Sequence, residues 1–96
     1  MNVLVSSKNV EVPTSLVRNA EEKLSHLGRL LGGLERAEVR FVEEKNPRIS
    51  QKDSCNLKVV SRNKVIRVHG VAHDPAAALD VVVNKAIHRL AKTKAH

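Results

Sequence analysis

The chain has 96 residues and carries 17 Lys/Arg against 10 Asp/Glu, a formal charge of +7 and an isoelectric point near 10.1. That length provides for one small domain, and that charge points to an anionic partner, most often nucleic acid. Phe41 is the only aromatic residue and Cys55 the only cysteine, which argues against modules that stack bases on aromatics and excludes intrachain disulfides and cysteine metal clusters. No apolar run reaches the length of a membrane span, and the N-terminus lacks the charged-then-apolar plan of a signal peptide. The expectation is a soluble cytoplasmic protein with no membrane partner.

Asn2–Ser7 alternates small apolar residues and reads as a strand with Val3 and Val5 on one face. Val10–Thr14 turns into a helix, with Pro13 near the first turn. Leu16, Val17, Ala20, Leu24, Leu27 and Leu31 then mark an apolar face over about four to five turns. Gly32-Gly33 ends the helix, the pair being suited to a left-handed cap. On its flank Lys23, His26 and Arg29 step by threes, while Glu21 and Glu22 dilute the field; these charges read equally well as surface ion-pair decoration.

Arg36–Glu44 alternates Ala37, Val39 and Phe41 with Glu38 and Arg40, the pattern of a half-buried strand. The segment from Lys45 to Asp53 is polar, contains Pro47 and reads as a flexible loop. Ser54–Val60 sets Cys55, Leu57 and Val59 on one side. Cys55 is therefore expected to be a small buried hydrophobe, since no neighbour would activate its thiol. Ser61–Lys64 is a short turn, and Val65–Ala72 a further strand with Ile66, Val68 and Gly70 inward. Gly70 is read as the mark of a bulge.

The last helix opens at Asp74, a good N-cap, with Pro75 at the first helical position. Leu79, Val82 or Val83, Ala86 and Leu90 give its apolar stripe. Three consecutive valines are poor helix formers, so packing must hold its first half. From Lys85 onward the helix carries only positive charge. Lys85, Arg89 and Lys92 step by four and three and form a basic ridge, which also complements the helix dipole. His88 reads either as part of that ridge or as an ordinary exposed residue.

The fold class is α+β, in the order β-α-β-β-β-α, as one domain over residues 1–96. The first two strands should pair in parallel through a right-handed crossover, and the others follow as an antiparallel meander. A four-stranded mixed sheet then carries both helices on one face, leaving their flanks open to a partner. Charge is uneven along the chain: residues 1–48 hold eight Lys/Arg against seven Asp/Glu, residues 49–96 nine against three. The second half is the better candidate for a contact surface.

Catalysis finds no footing. There is no nucleophile elbow, phosphate-binding glycine loop or spaced carboxylate pair, and no cofactor or small-molecule substrate is expected. Glu43-Glu44 reads as solvated surface. His69 and His73 span a strand end without Asp or Cys at ligand spacing, so no metal site is expected. Three non-enzymatic readings stay open: a binder of one particular RNA, a general structured-RNA module using shape as double-stranded-RNA-binding domains do, and a dimerising regulator pairing through the outer sheet face. RNA binding should weaken steeply with salt, protein pairing barely.

Several colinear segments carry a resemblance: Ser6-Ser7-Lys8-Asn9-Val10-Glu11-Val12-Pro13, Glu22-Lys23-Leu24-Ser25-His26-Leu27, Val42-Glu43-Glu44-Lys45-Asn46-Pro47-Arg48, and Ala77-Ala78-Leu79-Asp80 through Asn84-Lys85. In order and spacing they resemble the ribosome hibernation-promoting factor family, which includes the ribosome-associated inhibitor A protein. The resemblance implies a fold similar to double-stranded-RNA-binding domains. It also implies binding to small-subunit rRNA in the mRNA channel near the A and P sites. There the family excludes mRNA and tRNA and silences idle ribosomes in stress and stationary phase.

By position, Lys23, His26, Arg29, Lys85, His88 and Lys92 match places where the family usually has basic residues; Arg89 is added by the charge reading alone. The chain departs from the family before its last helix, where His73-Asp74-Pro75-Ala76 lacks the usual tyrosine. It departs again at His26 and His88, whose imidazoles are weaker cations than Lys or Arg at neutral pH. The end at His96 resembles the short form without a dimerisation domain, so a monomer is expected when free.

Overall fold

The computed structural model describes residues 2–8, 10–31, 33–44, 53–62 and 64–94, with residues 30, 31 and 90–94 described by their backbone alone. The elements run β1 (Asn2–Lys8), α1 (Thr14–Leu31), β2 (Leu34–Glu43), β3 (Asp53–Ser61), β4 (Val65–Ala72) and α2 (Pro75–Lys94). The sheet order is β1-β2-β3-β4, with β1 and β2 parallel and the two later pairs antiparallel. This is the expected α+β architecture.

Strand alternation decides which face is covered. Val3, Ala37 and Val59 lie in one cross-strand row, and Val5, Val39, Leu57 and Val68 in the next. Phe41, Cys55 and Gly70 form a third row on the same face. Leu16, Ala20, Leu24 and Leu27 of α1 are buried, as are Ala78, Leu79, Val82, Val83 and Ala86 of α2. With the buried strand residues they form one core. Burying a Val, Leu or Phe side chain contributes about 1.5–3 kcal/mol over leaving it exposed, which holds the valine-rich α2 where propensity does not. Val17 is half-buried, while the side chains of Leu31 and Leu90 lie outside the described residues.

Helix ends follow local chemistry. The Asp74 carboxylate accepts the Ala77 N–H at 2.8 Å, and the Asp74 carbonyl accepts that of Ala78 at 3.1 Å. Pro75 sits at the first helical position, as its fixed φ favours. In α1 the Pro13 carbonyl accepts from Leu16 at 2.9 Å and Val17 at 3.1 Å. Gly33, with φ 69°, takes the left-handed conformation after α1 that glycine adopts without a Cβ penalty. Since β1, β2 and β4 run one way and each helix returns from a strand of that set, α1 and α2 run parallel. Their first turns share a cleft lined by Ser15 and Asn19 on one side and Asp74 and Ala76 on the other.

Two expectations need correction. Gly70 marks no bulge: it pairs with Cys55 in unbroken register, and the sheet's irregularity lies between Leu34 and Arg36 instead. A Cβ on Gly70 would stand 2.6 Å from Val81 Cγ1 and 3.0 Å from Val82 Cγ1, so this glycine lets α2 come down onto β4. Asp53, expected in the polar loop, is buried and starts β3 opposite Glu43. The rest of that loop, residues 45–52, lies outside the described residues.

Candidate nucleic-acid interface

β4 is the last strand of the sheet, so one of its edges has no strand neighbour. Its carbonyls at Arg67 and His69, two residues apart, project from the same side of the strand. Lys85 Nζ donates to the His69 carbonyl at 2.7 Å, and Arg89 Nη1 to the Arg67 carbonyl at 2.7 Å. One helical turn separates the two donors, matching two strand residues. The basic ridge of α2 is therefore partly an edge cover, a known device against unwanted strand pairing. A carbonyl brings no opposing charge to a cation, and both side chains stay exposed.

Between α2 and this edge lies an open trough lined by Arg67, His69, Asn84, Lys85, His88 and Arg89, with Val68 at its floor. Among the described residues its lining holds three Lys/Arg, two imidazoles and no acid. His88 Nδ1 lies 3.1 Å from the Asn84 carbonyl, so this nitrogen carries the proton and Nε2 faces outward. His69 Nδ1 lies 2.7 Å from Asn56 Oδ1 across the sheet and is oriented in the same way. His69 thus has an amide partner, and among the described residues no group of three His, Cys, Asp or Glu is arranged to hold a metal.

The residues expected on α1 fare differently. Lys23 Nζ is ion-paired with Asp80 Oδ1 at 2.8 Å, joining α1 to α2. His26 and Arg29 are exposed. Steps of three fall short of a full turn, so Lys23, His26 and Arg29 spiral from the α2-facing flank onto the outer side of α1. The structure gathers Lys85, His88 and Arg89 on the far side of α2 from Lys23, giving two basic areas with the crest of α2 between them. Lys92 belongs to α2, but its side chain lies outside the described residues.

Sequence reading missed Arg67 and His69 as members of the trough. Their alternation with Ile66 and Val68 identifies the outer face of a strand, but not that this strand is an edge beneath a basic helix. Cys55 is fully buried, and burial pushes its thiol up to about 12, which removes it as a nucleophile. No helix among the described residues is long and apolar enough to cross a membrane.

The family model described as sigma 54 modulation protein / S30EA ribosomal protein matches residues 3–96. The chain belongs to this family. Its members are ribosome-associated proteins, so the basic trough lies on a domain of a ribosome-associated family. No curated protein sequence matches the chain. Among solved structures, a ribosomal subunit interface protein from Coxiella burnetii superposes with a TM-score of 0.87 at 19% identity, over 100% of both chains. The Protein Y N-terminal domain of Thermus thermophilus gives 0.80 at 22% identity, over 97% of this chain and 99% of that one. At such identities the likeness to these two structures is one of fold.

Proposed function

We propose that this chain is a ribosome hibernation factor that binds small-subunit rRNA along the mRNA channel, near the A and P sites, and sterically blocks mRNA and tRNA. The observation that carries the reading is the basic trough of Arg67, His69, Lys85, His88 and Arg89 on a domain of the S30EA family. Such a cluster neutralises phosphates and releases their counterions, which supplies affinity without sequence reading. With its one phenylalanine in the core, the chain has no aromatic platform for bases, so its contacts fall on backbone and grooves. The reading gives this chain the kind of location named for the Coxiella burnetii protein.

In this mechanism Lys85, His88, Arg89 and Lys92 of α2 form the principal contact, and Lys23, His26 and Arg29 of α1 a second one. No bond is made or broken, and no cofactor takes part. The protein acts in the cytoplasm, as a monomer when free. Co-sedimentation with small subunits tests this at moderate salt. Saturable binding near one copy per subunit, competed by mRNA with tRNA, is the expected result. Binding no tighter than to random duplex RNA overturns it in favour of a general RNA module.

A further inference from the structure

The face of the sheet opposite the helices is uncovered, and its composition is not that of an idle surface. Two cross-strand rows cross its middle: Leu4, Glu38, Lys58, Arg67, then Ser6, Arg40, Asn56, His69. Both rows line one concavity spanning all four strands. Arg36 and Lys8 lie on the same face at its ends, so within the strands this face sets five Lys/Arg against Glu38, with Glu44 following just after β2. Glu38 is already held between two of the cations, with Oε2 3.1 Å from Arg36 Nε and 3.7 Å from Lys58 Nζ. Arg67 and His69 line this concavity and the α2 trough alike, so the positive surface turns the β4 edge without a break.

We infer that this sheet face is a further contact for RNA phosphates beyond those of the helices, continuous with the trough, so that RNA holds the domain on both layers. Charge complementarity selects the occupant. A protein partner would need a contiguous apolar centre. The exposed Leu4, Val65 and Val71 instead lie on an outer strand and at opposite ends of β4, with the charged rows between them. Adjacent strands stand about 4.8 Å apart and same-face residues about 6.7 Å apart along a strand, so the cations form a lattice several phosphates wide. The inference rests on the ribosomal reading, and it adds that the binding site is a cleft with RNA on two sides.

The test uses the full chain and purified small subunits. Lys8→Gln/Arg40→Gln/Lys58→Gln removes three charges that belong to the sheet face and not to the trough, while Arg40→Lys keeps the central one; thermal melting confirms that both variants fold. The neutral variant should bind about tenfold more weakly and lower the slope of log affinity against log salt by about two, whereas the lysine variant stays near wild type. A chelated iron tethered at Ser6→Cys, in a Cys55→Ala background, should cleave nearby rRNA from the sheet side. If the neutral variant keeps wild-type affinity and slope and the tether cuts no rRNA, while Lys85→Gln/Arg89→Gln loses binding, the sheet contact is wrong and the ribosomal reading stands. If the wild type itself fails to bind subunits, both fall.

Discussion

The two helices carry basic residues at similar spacing, yet the structure treats their charges differently. On α1, Lys23 meets a carboxylate, Asp80, and much of its field closes locally. On α2, Lys85 and Arg89 lean on carbonyls, which fix their direction and bring no opposing charge. What distinguishes them is the neighbour: α1 lies beside another helix, α2 beside a bare strand edge. A basic stripe read from sequence gives a count of cations, and the adjoining element decides how many remain available to a distant anion.

The largest effect is expected on α2. Lys85→Glu/Arg89→Glu should weaken subunit binding on the order of a hundredfold, measured by co-sedimentation, because two attractive contacts become repulsive. The same reversal at Lys23 should cost far less, since Lys23 is held by Asp80 and not turned towards the RNA. Equal losses at both places would show that the α1 pair does not shield its lysine. Next in size is Gly70→Ala. Its methyl meets Val81 at 2.6 Å, so α2 must shift, and a loss of about 1–3 kcal/mol should appear in urea unfolding. Asp74→Ala removes the cap of α2 and should cost about 1 kcal/mol. Pro13, which precedes α1 and has no acceptor in its side chain, offers no such cap to lose.

Smaller effects sharpen the picture. Asp80→Asn should leave the melting temperature nearly unchanged, because an exposed ion pair contributes at most about 1 kcal/mol. It should raise subunit affinity a few-fold by releasing the charge of Lys23. Cys55 gives an alkaline signature. Burial raises its folded thiol to about 12 from the ordinary 9.0, so the unfolded chain loses the proton first. The stability due to keeping this thiol neutral is therefore complete below about pH 9 and falls as pH rises towards 12. Cys55→Ala should flatten that fall in denaturant titrations run at successive pH values.

The elements were legible because their signals are local. Alternation at Ala37, Val39 and Phe41, helical spacing from Leu16 to Leu27, the Asp74-Pro75 start and the glycine after α1 each act within a few residues. What escaped depends on which elements become neighbours. Arg89 and Arg67 are 22 residues apart, Lys85 and His69 16 apart, and no periodicity announces either pair. Gly70 looked like a bulge because a strand glycine has two physical uses, and only the position of α2 separates them. Asp53 looked like loop because carboxylates are rarely buried, whereas β3 begins one residue earlier than its apolar alternation. Of the seven candidate residues, the α2 group was legible as a ridge, but the strand residues that complete its trough were not.

Phe41 is the only aromatic ring buried in this core, and the four described histidines are all exposed. In a magnetic field that ring shifts the resonances of methyl groups lying over its face, while methyls elsewhere keep ordinary positions. The high-field end of a one-dimensional proton spectrum is thus a readout of one neighbourhood, the middle of the sheet beneath the helices. A chain without tryptophan or tyrosine is nearly silent in the near ultraviolet, yet it carries its own gauge of whether the two layers are docked. That gauge needs no label and can be followed while RNA is added.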